Sequence, residues 1–135
     1  MAWPFDNEAD IDALVDEYID AHRTRATTPA EHEAAAAASM PIMCVTEDEA
    51  EAVWRFVLKV IAKRPNDWTL GMLAAGPLED LICEYGATFM ERIETEARRD
   101  SAFRWTLHGV WSSTTPSELW GRIERARGPS AVPFR

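Results

Sequence analysis

Cysteine is scarce in this sequence, and its scarcity excludes two classes of small protein. The only cysteines are Cys44 and Cys83, which lie far apart and form no CxxC pair. Two cysteines are too few for the disulfide framework of a small secreted domain, and the paired spacing of a structural zinc site is missing. We therefore expect both thiols to be reduced, in a cytoplasmic protein, and packed as small apolar side chains.

Long apolar runs are also missing. The longest stretch without a charged residue covers residues 34–46, whereas a membrane-spanning helix needs about 20 apolar residues. The first residues are acidic and show neither the basic nor the apolar region of a secretory signal. The sequence therefore predicts neither a membrane span nor a secretory signal.

No segment alternates apolar and polar residues over the length of a strand. Apolar residues recur instead with the period of an α-helix almost throughout, in a chain whose composition is 47% hydrophobic and 27% charged, as in globular proteins. We expect an all-α fold, either a compact bundle of about six to eight short helices or, less favoured, a helical-repeat-like stack. We assign residues 1–127 to a single all-helical domain and residues 128–135 to a C-terminal tail.

Three capping boxes predict helix starts. Thr28, Thr46 and Thr115 each stand three residues before a glutamate, so that the two side chains can satisfy free N–H groups of the first helical turn. The helix after Thr46 carries apolar residues on two sides, with Trp54 on one side and Phe56 on the other. We therefore expect this helix to be central, with neighbours on both sides.

Glycine and proline predict further helix ends. At Gly76-Pro77 we expect one helix to end and another to begin, because a residue before proline is disfavoured in the helical region and proline suits a first helical position. Gly86 is interpreted as the residue just past the end of this second helix. Gly128, followed by proline, is expected to end the last helix.

Charge is distributed unevenly along the chain. Residues 1–91 contain 18 acids and 6 bases, whereas residues 92–135 contain 5 acids and 8 bases. The acidic part would repel nucleic acid, whose binding depends on neutralising phosphates, but would attract a basic protein.

Within residues 6–20 there are seven acids and no base. A solvated helix face explains such charges in the ordinary case. A partner that relieves their repulsion is the functional interpretation, with a binding face of Asp10, Asp12, Asp16, Glu17 and Asp20.

A second group of residues suggests a pocket instead. Glu79 and Asp80 form a carboxylate pair, although acids at the start of a helix most often complement its dipole. His108 stands between Trp105 and Trp111, in a segment that would line a pocket or be half-buried in a tryptophan-rich core. The alternative site is therefore Glu79, Asp80, Trp105 and His108.

Signatures of catalysis or metal binding are missing from these candidates. His22 and His32 would approach each other if their helices pair, but no histidine follows an HExxH or similar spacing. Residues 112–115 offer hydroxyls before a helix, without the glycines and lysine of a phosphate-binding loop. Cys83 has no positioned base in its sequence neighbourhood. The sequence predicts neither a metal nor a cofactor.

Residues 73–81, Leu-Ala-Ala-Gly-Pro-Leu-Glu-Asp-Leu, resemble the signature of an uncharacterised bacterial family known as a domain of unknown function. Similar features follow at Gly86, at Phe89 and Ile93, and over residues 100–107. The likeness covers roughly residues 50–111, while the first 45 residues show none. The resemblance implies a bacterial origin and a helical fold, and it brings no catalytic residues to this chain.

Two functions remain open from the sequence. The first is a non-enzymatic, acidic protein-binding domain, such as an immunity protein that neutralises a toxin or an adaptor, with a basic protein as its partner and no contact with nucleic acid or membrane. The alternative is a small all-helical enzyme or ligand-binding protein with a pocket near His108 and Glu79. The sequence does not define the oligomeric state.

Overall fold

The computed structural model describes residues 7–42 and 46–129, so Cys44 and the end of the predicted tail lie outside the described residues. Within these ranges 79% of the residues are helical and none forms a strand, which confirms the all-α prediction. None of the described helices is long and apolar enough to cross a bilayer. Backbone contacts group the chain into two compact units, residues 1–72 and 73–135. The single-domain assignment stays a prediction.

Seven α-helices, a 3-10 turn and a π-helical turn follow one another in the described residues. The first unit contains α1 (Glu8–Ala21), α2 (Pro29–Ser39), the 3-10 turn (Met40–Ile42), α3 (Glu47–Ala62) and all but the last residue of α4 (Asp67–Leu73). The second unit contains the π-helical turn (Ala74–Leu78), α5 (Glu79–Arg99), α6 (Ser101–Leu107) and α7 (Ser117–Arg127).

Two of the three predicted capping boxes are confirmed. The Thr28 N–H donates to Glu31 Oε1 at 3.1 Å, and the Glu31 N–H returns to Thr28 Oγ1 at 3.1 Å. At the start of α3, the Thr46 N–H donates to Glu49 Oε1 at 3.3 Å. These bonds satisfy groups that the first turn of a helix leaves free, and therefore fix where α2 and α3 begin.

The third capping box is wrong. Helix α7 begins one residue later than predicted, with extended Pro116 in the capping position. The Thr115 N–H donates instead to Ser112 O at 2.8 Å, which closes a turn before the helix. As a result the Thr115 hydroxyl is buried, and it has no hydrogen-bond partner among the described residues.

The predicted helix break at Gly76-Pro77 is also wrong. Both residues lie inside the π-helical turn, and the φ angle of Gly76 is not positive. A π turn closes a larger ring than an α turn, so it leaves room for the proline ring that would clash in a regular helix. Glycine before Pro77 has no Cβ to meet the ring, which removes the main steric reason against a helical conformation there.

The predicted helix end at Gly86 is confirmed in part. Helix α5 consists of two helical segments that meet at a kink beside Gly86, at Tyr85, whose φ and ψ of −131° and 20° are not helical. A Cβ on Gly86 would lie 3.6 Å from Leu119 Cδ1 of α7, which is an ordinary van der Waals contact. The end of α7 at Gly128 is as expected, with a φ of 81° that favours glycine.

The core of the first unit forms where α1 packs on α3. The ring of Tyr18 meets that of Phe56 edge to face, with centroids 5.4 Å apart, and burial raises the pKa of the Tyr18 phenol. Trp54 is only 4% exposed. The two apolar sides of α3 are buried as expected, with Val53, Trp54, Phe56, Val57, Val60 and Ile61 among the residues involved.

The core of the second unit forms around α5, which contacts α6 and α7. Phe89, Ile93 and Phe103 are buried there, together with Ile123 from α7. The Arg122 guanidinium also forms a forked ion pair with the Glu94 carboxylate, with Nε 3.0 Å from Oε2. This hydrogen-bonded arginine holds the pKa of Glu94 below its ordinary value. Apolar packing and one bidentate pair thus join α7 to α5.

Candidate functional site

The acidic face of α1 lies beside a row of bases on α3. Lys59 Nζ is 2.9 Å from both Glu8 Oε2 and Asp12 Oδ1, and Lys63 Nζ is 3.2 Å from Asp16 Oδ1. Residues four apart lie on the same side of a helix. These acids of α1 therefore all face α3, and these lysines of α3 all face α1. Because the pairs advance in the same direction along both helices, α1 and α3 run parallel. Arg55 Nε also lies 3.2 Å from Glu8 Oε1, and we call all these side chains the ion-pair row.

The ion-pair row neutralises part of the predicted binding face. Asp12 and Asp16 belong to the row, and Asp20 pairs with Arg23 Nε at 3.1 Å. The hydrogen bond to Asp12, followed by that to Glu8, raises the pKa of Lys59. All three aspartates remain exposed, and exposed ion pairs contribute only about 0–1 kcal/mol each. Internal pairing therefore reduces the repulsion on α1 without removing its charges from solvent.

The remaining two acids of this face have no base beside them among the described contacts. The Asp10 carboxylate accepts a hydrogen bond from Asn7 Nδ2 at 2.9 Å, in the cap of α1. Glu17 is exposed. Residues 1–72 contain 14 acids and 6 bases, so the first unit keeps an excess of negative charge after its ion pairs are counted. The unpaired charges of Asp10 and Glu17 are the part of this face most open to a partner.

His22 has a structural role at the end of α1. It is 4% exposed, its Nδ1 lies 2.9 Å from Tyr18 O, and its ring stacks on that of Tyr18 with centroids 4.1 Å apart. The Thr69 hydroxyl donates to His22 O at 2.8 Å. His32 is exposed on α2. The described residues contain no group of three side chains able to hold a metal.

Glu79 holds the segment that follows α6. Its Oε1 accepts the Trp111 N–H at 2.9 Å, and its Oε2 accepts the Ser113 hydroxyl at 3.1 Å. One helical turn later, Cys83 Sγ lies 2.7 Å from Thr114 Oγ1. Residues 111–114, here called the Trp111 loop, therefore lie along the side of α5 that carries Glu79 and Cys83. The dipole interpretation of Glu79 misses these contacts.

Asp80 and Glu84 follow Glu79 and Cys83 by one residue, so they lie on the neighbouring side of α5. They are one helical turn apart and both exposed. Partial burial, followed by the negative charges of Glu79 and Glu84, raises the pKa of Asp80. Among the described residues no base opposes this shift, so nothing in that part of the chain offsets the repulsion among the three carboxylates.

Trp111 presents its indole to solvent on this held loop. The residue is 73% exposed although its backbone N–H is bonded to Glu79. A large apolar side chain so exposed on a fixed backbone is unusual, since aromatic residues supply most of the burial in small cores. The sequence does not predict that Trp111 lies at the surface.

Two residues of the alternative pocket, His108 and Glu79, bind different backbone groups. His108 Nε2 lies 2.9 Å from Arg127 O at the end of α7, whereas Glu79 binds the Trp111 loop. Trp105 is half-buried. The cavity described in this unit, about 560 Å³ in volume, is lined by Gly121, Glu124, Arg125, Arg127, Gly128 and Pro129. None of the four predicted pocket residues lines that cavity.

The fold and these surfaces define an all-α protein whose candidate sites are charged surfaces. A family model described as a family of unknown function (DUF6869) matches residues 24–130, and the chain belongs to this family. The match extends beyond the predicted residues 50–111 at both ends, and α1 lies before it. No curated protein and no solved structure matches the chain.

Proposed function

We propose that this chain is a non-catalytic binding domain that engages a basic protein through the acidic face of α1. One observation carries the proposal: Asp10, Asp12, Asp16, Glu17 and Asp20 are all exposed on a single helix. They lie in a unit with 14 acids and 6 bases. A field of one sign on one surface speeds the encounter with an oppositely charged protein and disfavours other partners.

The ion-pair row prepares this face for binding. Lys59 and Lys63 hold Asp12 and Asp16 on one side of α1, so less side-chain freedom is lost when a partner arrives. Because each exposed pair contributes little, a base of the partner can share these carboxylates. An immunity protein that covers the cationic surface of a toxin, or an adaptor that recruits a basic protein, would use such a face.

Affinity capture with charge variants tests the proposal. The full chain is isolated from its native cells at low and moderate salt, beside an Asp10→Asn/Glu17→Gln double variant. A Glu118→Gln/Glu124→Gln double variant removes the same charge from exposed positions of α7 and serves as control. We expect a stoichiometric basic protein with the wild type and the control, and its loss with the α1 variant. Absence of any stoichiometric partner at both salt concentrations would contradict the proposal.

A small enzyme or ligand-binding protein with a pocket near His108 and Glu79 is the weaker alternative. The polar atoms of these two side chains are bonded to separate backbone groups, Arg127 O and the Trp111 N–H. Convergent polar groups in an enclosed cavity would favour that function, and the described cavity contains neither residue.

A further inference from the structure

We propose that the second unit carries a separate docking surface, formed by Trp111, Asp80 and Glu84, that receives an arginine side chain of a partner polypeptide. This surface lies outside the acidic face of α1. It shares with the proposed function only the basic character of the partner, so either proposal can fail alone.

The first argument is the fixed presentation of Trp111. Its backbone is bonded to Glu79, and the next residues of the loop are held by Ser113 and by the contact between Thr114 and Cys83. The indole is nevertheless 73% exposed. A rigid, exposed aromatic side chain loses little conformational entropy on binding, which is why tryptophan is enriched among the residues that dominate interfaces.

The second argument is the charge around the indole. Glu79 uses both carboxylate oxygens on the Trp111 loop, while its sequence neighbour Asp80, and Glu84 one turn later on α5, are exposed. The negative charges of Glu79 and Glu84 contribute to the raised pKa of Asp80, and no base lowers it. A cation from a partner would supply the missing counter-charge.

Arginine satisfies both features at once. Its planar guanidinium stacks on an aromatic ring and also forms forked hydrogen bonds with a carboxylate, whereas lysine offers a compact charge. The chain shows the ring contact elsewhere: the Arg127 guanidinium lies 5.1 Å from the ring centre of Trp120, and that of Arg92 lies 4.6 Å from the ring centre of Phe89. Within the described residues, no such cation lies over Trp111.

Nuclear magnetic resonance of the full chain tests the surface directly. The six tryptophans give separate indole N–H signals, and the signal missing from a Trp111→Phe variant belongs to Trp111. The chain is titrated with a Gly-Arg-Gly-Arg-Gly peptide and with its lysine counterpart. We expect a saturable shift of the Trp111 signal and a Kd about three- to ten-fold lower for the arginine peptide.

Charge variants complete the test. Asp80→Asn/Glu84→Gln is expected to weaken arginine-peptide binding about three- to ten-fold, whereas the matched α7 variant Glu118→Gln/Glu124→Gln leaves it unchanged. Slow hydrogen exchange of the Trp111 amide in both variants shows that the loop is still held. An unmoved Trp111 signal, equal binding of the two peptides, or wild-type affinity of the Asp80→Asn/Glu84→Gln variant overturns the surface.

The two proposals separate in the same titration. The Asp10→Asn/Glu17→Gln variant is expected to keep the full Trp111 response. If the peptide shifts only signals of α1, the acidic-face proposal stands and the Trp111 surface is overturned. If the Trp111 signal shifts and the signals of α1 do not, the Trp111 surface stands and the acidic-face proposal is overturned for arginine peptides.

Discussion

Glu79 Oε1 accepts a hydrogen bond from the backbone N–H of Trp111 at 2.9 Å, across 32 residues of sequence. The other oxygen of the same carboxylate binds the Ser113 hydroxyl, and Ser113 has a φ of 44°, which is uncommon for a residue other than glycine. One side chain at the start of α5 thus fixes the conformation of a distant loop. Its removal should change that loop more than the rest of the fold.

Glu79→Ala is expected to release the Trp111 loop. Two hydrogen bonds to a charged group are lost at the surface, so the free energy of unfolding should fall by about 1 kcal/mol. Hydrogen exchange of the Trp111 amide should become fast, while exchange in the middle of α5 stays slow. Glu79→Gln keeps an acceptor oxygen and should have the smaller effect. Unchanged protection of the Trp111 amide in Glu79→Ala would contradict this role.

Asp80→Asn is expected to stabilise the fold slightly at neutral pH, by under about 1 kcal/mol because the site is at the surface. The pKa of Asp80 is raised in the folded chain, so folding disfavours its ionised form. This penalty is present above the raised pKa and disappears as the pH falls below the ordinary value. Thermal midpoints of wild type and variant should therefore differ at about pH 7 and converge towards about pH 4. If the difference between the two thermal midpoints grew as the pH fell, folding would lower the pKa of Asp80 instead of raising it, and the prediction would be wrong.

Thr115→Val is expected to raise stability by roughly 1 kcal/mol, because valine keeps the branched shape and removes a buried hydroxyl without a described partner. Thr69→Val is the matched control. The Thr69 hydroxyl donates to His22 O at 2.8 Å, so this variant should lose about 1 kcal/mol or more. Denaturant midpoints of the two variants should move in opposite directions. A shared direction would show that burial of the hydroxyl at residue 115 carries no penalty.

Trp54→Ala is expected to lower the free energy of unfolding by about 3–5 kcal/mol, because a large side chain that is 4% exposed leaves a cavity. Trp68→Ala on α4 removes the same side chain from a site that is 40% exposed, and should cost less than about 1.5 kcal/mol. Chemical denaturation measures both. Equal effects of the two variants would place Trp54 outside the core.

Features set by neighbouring residues were predictable from the sequence. A capping threonine and the glutamate three residues later need only each other, which is why the starts at Thr28 and Thr46 are confirmed. The predicted break at Gly76 is wrong because this residue lies in a π turn, which does not follow from local preferences. The hydrogen bond that the Trp111 N–H donates to Glu79 cannot be predicted from the sequence. Every residue except proline offers a backbone N–H, so no residue type marks the donor.

The candidate sites also depend on contacts between residues that are far apart in the sequence. The acids of α1 form a visible pattern, but the bases that pair with Asp12 and Asp16 lie 47 residues further along the chain. Only the packing of α1 on α3 shows that Asp12 and Asp16 already have counter-charges, whereas Asp10 and Glu17 have no base beside them within residues 7–42 and 46–129. No pattern in the sequence indicates that Trp111 is exposed, since tryptophan is more often part of a core.

The parallel arrangement of α1 and α3 makes the first unit responsive to ionic strength. The pairs that join Glu8, Asp12 and Asp16 to Lys59 and Lys63 are exposed, and salt at about 0.1 M already limits such attractions to roughly 10 Å. Rising salt therefore weakens the long-range attraction of α1 to a basic protein before it weakens these pairs, whose atoms lie only 2.9–3.2 Å apart. An electrolyte series that monitors α1 alone, through amide exchange, would separate loosening of the helix from dissociation of a bound protein.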